Sequence, residues 1–125
     1  MAELKKIATR ASYGEALVEL GKQQENLVVL DADLAAATKS GTFKKAFPER
    51  HFNCGIAEAN MMCVAARLST SCPVPFSSTF AMFPACRAFA QLRTSIRHPR
   101  LHVKIAPTPP CIPLRQSVAP THCHA

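Results

Sequence analysis

The chain has 125 residues, 48% hydrophobic and 18% charged, which suits one core-forming domain and excludes a disordered protein. No apolar run approaches the roughly 20 residues of a membrane span. The opening Met1 to Lys6 carries no signal-like apolar stretch, so the expected compartment is the cytoplasm and the six cysteines are expected as reduced thiols. The net charge of +7 is unevenly placed: all eight acids lie at or before Glu58, matched by eight Lys and Arg, and the seven later cations have no acidic partner. Glycine stops at Gly55, while nine of the ten prolines lie at Pro73 or later.

Tyr13, Ala16, Leu17 and Leu20 recur at helical spacing and predict a first helix, with Ser12 and Glu15 at capping-box separation and Gly21 near its end. Leu27 to Leu30 is wholly apolar, as in a strand covered on both faces. Residues 42–47 read as a short helix stopped by Pro48, 51–54 as a second strand ending at Gly55, and 57–68 as a strong helix. Further strands are predicted at 74–77 and 101–106, joined by a helix over 82–96 that must hold Pro84 in its first turn. Strand starts about one βαβ unit apart predict an α/β fold with a parallel sheet flanked by helices. Beyond Ala106, Pro107, Pro109, Pro110, Pro113 and Pro120 permit neither a helix nor a central strand, and the tail at 107–125 is expected to be disordered.

Ligands of parallel α/β sheets sit beyond the carboxyl ends of the strands. Two segments qualify, Asp31-Ala32-Asp33 and Gly55-Ile56-Ala57-Glu58. Glu58 opens an apolar helix, where a carboxyl group can exchange a proton near neutrality; the plainer alternative is a residue that favours the helix N-terminus through the macrodipole.

The runs KKIATRASYGEALVELGKQQENLVVLDAD (5–33) and HFNCGIAEANMM (51–62) resemble the transketolase family, most closely the C-terminal subunit of split bacterial transketolases. The match is dense over 5–62, in register to about 106, and marginal at Thr121-His122. The resemblance implies a pyrimidine-binding domain at 1–106, incomplete at its C-terminus. It also implies thiamine diphosphate as cofactor, with magnesium and the diphosphate held by a partner, the N-terminal subunit, in a homodimer or heterotetramer. The implied reaction moves a two-carbon ketol unit between sugar phosphates. A related 1-deoxyxylulose-5-phosphate synthase-like domain and a non-catalytic, decayed fragment are the alternatives.

Residue by residue, Glu58 matches the contact to N1′ of the aminopyrimidine. A carboxyl group sharing a proton there favours the imino form of the cofactor that removes its own C2 proton, and it must be shielded from water. Phe80 and Phe83 match the aromatic wall around that ring, although Phe at this spacing is otherwise core. Asp33 matches an acid beside the cofactor, Arg10 an arginine that binds the sugar phosphate, and His122 a substrate-side histidine. On spacing alone, Asp33 would be a cap and Arg10 a solvated surface charge.

Cys63, Arg67, Cys86, Cys111 and Arg115 stand where the family has small residues, usually glycine. Pro109 replaces a substrate-binding histidine, and Leu114-Arg115-Gln116-Ser117 an acidic, glycine-containing stretch. Glycine codons become cysteine or arginine codons by one base change, so the second half reads as sequencing error or genetic decay. An unpartnered Arg67, if buried against a neighbouring helix, would cost several kcal/mol. The isolated chain is expected to be inactive. Scattered charge, 6% aromatics and the absence of a recognition motif argue against nucleic-acid binding. Cys111, His122, Cys123 and His124 match no zinc-site spacing.

Overall fold

A computed structural model describes residues 7–108, which form a four-stranded, wholly parallel sheet in the order β2-β1-β3-β4, with helices on both faces. Helix α1 (Thr9–Gln23) leads into β1 (Leu27–Asp31), and α2 (Ala35–Thr38) and α3 (Gly41–Ala46) follow. A 3₁₀ turn (Pro48–Arg50) precedes β2 (His51–Asn53); then come α4 (Glu58–Ser69) and β3 (Val74–Phe80). Two π-helical turns (Phe83–Arg87 and Leu92–Arg97) flank a short α5 (Phe89–Gln91), and β4 (Lys104–Thr108) completes the sheet. No helix among the described residues is long and apolar enough to cross a membrane.

The α/β expectation holds, with corrections at element ends. Helix α1 starts at Thr9 with Ala8 at its N-cap and no side-chain cap, so Ser12 lies inside the helix and the capping box does not form. Backbone bonds from the Ala11 and Ser12 N–H groups to the Ala8 carbonyl already hold that turn. The unforeseen α2 is a single turn closed by Lys39 in the left-handed region (φ 64°), with the Thr38 hydroxyl donating to the Leu34 carbonyl.

Two cores lie on the two faces of the sheet. Leu17, Leu27, Val29 and Phe43 form one under α1 and α3. Here glycine is demanded by close approach: a Cβ on Gly14 would lie 2.7 Å from the Lys39 carbonyl oxygen, and one on Gly21 2.7 Å from Phe43 Cε2. Val28, Leu30, Met61, Met62, Ala65, Ala88 and Ile96 form the other core, under α4 and the later helical segment. Strand β1 supplies both, which is why all its residues are buried and apolar up to Asp31.

Two prolines in the sheet fall where they remove no ladder bond. Val74 donates its N–H to Asn26 on the β1 side, so Pro75 faces β4, whose pairing begins only at Phe76. On β4, which runs past Ala106 to Thr108, the Thr108 carbonyl accepts from Ala81 on the β3 side. Pro107 therefore faces outward, on the edge of the sheet among the described residues.

The helix expected over 82–96 is broken by its two π turns. Pro84 does sit in the first turn, and the Ala88 N–H bonds back to Phe83 and the His98 N–H to Arg93, one residue further than in an α-helix. The Thr94 hydroxyl donates to the Ala90 carbonyl at 2.7 Å, competing for the acceptor that a regular α turn would use there.

Candidate functional site

The carboxyl ends of β1 and β2 are tied together by a short polar chain. Asn53 accepts the Gly55 N–H on its Oδ1 at 2.7 Å and donates from Nδ2 to Asp33 Oδ1 at 3.4 Å. Both neighbours of Asn53 in this chain have left-handed backbone, Asp33 at φ 63° and Gly55 at φ 69°. Around Gly55 there is open space, so the backbone conformation, and not lack of room, demands glycine. This turn carries Ile56, which is 70% exposed, and delivers the chain to Glu58.

Glu58 is the first residue of α4, and its side chain is only 2% exposed. Among the described residues its Oε2 has no hydrogen-bond partner. The nearest opposite charge is Arg87 Nη1 at 3.4 Å, whose own side chain is 57% exposed. Arg87 closes the π turn that Phe83 opens, and Phe83 pairs with Phe80 at the end of β3 with ring centroids 6.0 Å apart. One short stretch thus supplies an aromatic pair and, at its far end, the cation beside Glu58. A buried carboxyl group with unused hydrogen-bonding capacity can meet a ring nitrogen of a flat heterocycle, and a half-buried aromatic pair can stack on such a ring.

Arg10 lies exposed in the first turn of α1. One turn on, the Tyr13 hydroxyl bonds Ser78 Oγ at 2.7 Å, which ties this end of α1 to the carboxyl half of β3. Burial pushes the Tyr13 phenol up to about 12, a rise that the bond to Ser78 partly offsets. Arg10, Asp33, Glu58, Phe80 and Phe83 therefore all lie on or beside elements meeting the carboxyl edge of the sheet; Phe80 and Phe83 pair as rings, and no hydrogen bond or ion pair joins any two of the five directly. His122, Pro109, Cys111, Arg115, Cys123 and His124 lie outside the described residues.

Arg67 does not carry the cost expected of a buried charge in this chain: it is exposed and donates to Thr70 Oγ1 at 2.7 Å. Cys54, Cys63, Cys72 and Cys86 are free thiols. Burial, and secondarily the Asp31 carboxylate, pushes the Cys54 thiol up. Asp31 itself meets His51 Nε2 at 2.8 Å, both side chains fully inside. A cationic groove of about 740 Å³ bordered by Arg93, Arg97 and Arg100 is lined by none of the candidate residues.

Asn53 and Arg87 are the participants that sequence reasoning passes over. The Asn-x-Gly spacing is an Asx-turn signal and could have marked Asn53. No local signal announces Arg87, because its partner lies on another element.

Residues 5–118 match the family model described as transketolase, pyrimidine binding domain. The chain is similar, at 52% identity over 99 residues, to a Methanocaldococcus jannaschii protein named for a transketolase C-terminal section, covering 79% of this chain and 31% of that protein. Human transketolase is 47% identical over 89 residues, which is 70% of this chain and 14% of the human protein. A solved structure described as a split gene transketolase, inactive beta4 tetramer, superposes with a TM-score of 0.77 at 60% identity, over 84% of this chain and 35% of that one. The chain thus spans about a third or less of the length of these relatives.

Proposed function

Since the chain belongs to the transketolase family through its pyrimidine-binding domain, we propose that it supplies the aminopyrimidine side of a thiamine diphosphate site in a split transketolase. The observation that carries this reading is Glu58: a buried carboxyl group at a helix start, whose Oε2 accepts no hydrogen bond among the described residues. That donor set fits the group, because N1′ of an aminopyrimidine can share a proton with a shielded carboxyl oxygen, and Phe80 and Phe83 offer rings to its faces.

When bound, thiamine diphosphate supplies a nucleophilic carbon that accepts and donates a two-carbon ketol unit. The residues of this chain hold and tune it. Glu58 holds a proton at N1′, and its burial excludes water that would compete for that hydrogen bond. Asp33 and Asn53 fix the turn that presents Gly55, whose bare backbone permits close approach of a ligand. Arg10 meets the phosphate of a sugar phosphate, as a guanidinium suits, and His122 serves the substrate side. The diphosphate and its magnesium are held by a partner N-terminal subunit, and the assembled enzyme works in the cytoplasm, in pentose phosphate interconversion.

Glu58→Ala in the complex with that subunit is expected to lower turnover at least about a hundredfold, as loss of a proton-transfer group does, while sedimentation shows the assembly intact. An unchanged rate would overturn the assignment. Purified chain given cofactor and magnesium but no partner is expected to show no ketol transfer; turnover there would refute the need for a second subunit.

A further inference from the structure

We propose that Arg87 is a positioning residue for Glu58: its guanidinium balances the buried carboxylate until the aminopyrimidine ring takes the same oxygen. The inference rests on the reading of Glu58 given above. Its basis is the contact itself. Glu58 Oε2 is buried and lacks a hydrogen bond among the described residues, yet Arg87 Nη1 stands 3.4 Å from it, close enough for an ion pair. Among the described residues, Glu58 is the one carboxylate within ion-pair distance of this guanidinium.

A carboxylate taken out of water costs several kcal/mol unless an opposite charge compensates it. Arg87 provides that charge from a half-solvated position, 57% exposed, so the pairing is loose and the side chain can swing toward water without being dragged from a core. Such a contact serves an exchange. It stabilises the charged carboxyl group in the empty site and leaves its oxygen available to a ring nitrogen. Without the guanidinium, nothing close by offsets the cost of holding that carboxylate out of water.

Proton bookkeeping on loading therefore reports on Arg87. Thiamine diphosphate with magnesium would be titrated calorimetrically at neutral pH into the complex with the N-terminal subunit, in two buffers of different ionisation enthalpy. Wild type is expected to take up protons on loading, by linkage between binding and protonation. Arg87→Met is expected to take up fewer protons than wild type, and Arg87→Lys to restore the wild-type count; a purely structural role for Arg87 would leave all three alike. Glu58→Gln separates the two layers. If Glu58→Gln abolishes uptake but Arg87→Met matches wild type, the role of Arg87 is overturned and the assignment of Glu58 stands. If Glu58→Gln takes up as many protons as wild type, the assignment of Glu58 is overturned, and the role of Arg87 falls with it.

Discussion

The two faces of the sheet are fitted in different ways. On the α1 and α3 face, Gly14 and Gly21 occupy places where even a methyl group would collide, and a single core closes beneath them. On the other face α4 packs well, but the chain that follows turns through Cys72 at φ 80°, winds through two π turns and leaves Phe89 53% exposed. One face has glycine where a side chain would not fit; the other has a side chain where the backbone suits glycine. The contrast follows the sequence, in which glycine ends at Gly55.

The largest test of this contrast is Gly14→Ala. Its new methyl would meet a backbone oxygen that cannot rotate away, and a loss of about 3 kcal/mol in chemical denaturation is expected, the upper range for overpacking. A loss below about 0.5 kcal/mol, within the range of ordinary surface changes, would show the face to be looser than described.

Next in size is alkaline stability on the same face. Tyr13 ionises near 10 when unfolded and near 12 when folded, so its contribution is complete below pH 10 and is lost as pH rises through 12. The loss is on the order of 2–3 kcal/mol. Tyr13→Phe should flatten denaturation curves across that window, at the expense of the bond to Ser78.

On the opposite face the sign reverses. Cys72→Gly is expected to stabilise by about 1 kcal/mol, since it relieves left-handed backbone at a β-substituted residue. A neutral or destabilising result would mean that the thiol does something the backbone does not reveal. The smallest effect concerns reactivity: Cys54, kept protonated by burial and by Asp31, should alkylate more slowly at neutral pH than exposed Cys63 or Cys86, as mass spectrometry would resolve.

What was legible in the sequence follows the same division. Leu27 to Leu30 and the α4 run declare themselves because burial on both faces, or on one stripe, leaves an unmixed apolar pattern. Glu58 was legible from its place after a strand and at the start of an apolar helix, while Asp33, Phe80 and Phe83 came from the resemblance; these residues fall on or beside elements that meet at one sheet edge. The π turns were illegible, since the residues through them keep helical periodicity. The contact of Arg87 with Glu58 was equally hidden, because it depends on how two elements cross. Independent sequencing of codons 63, 67, 86, 109 and 111 would decide whether the second half is genuine: glycines and a histidine there would restore the family pattern, and unchanged codons would make the decay real.

Pro107 has a consequence for how copies of this chain behave when crowded. Facing outward on β4, it has no N–H to offer along the sheet margin that β4 forms among the described residues. A strand arriving from a neighbouring molecule would find an acceptor there but no donor, and the ladder between molecules would break where it began. The same proline that marks the end of legible pattern in the sequence thus leaves that margin one donor short.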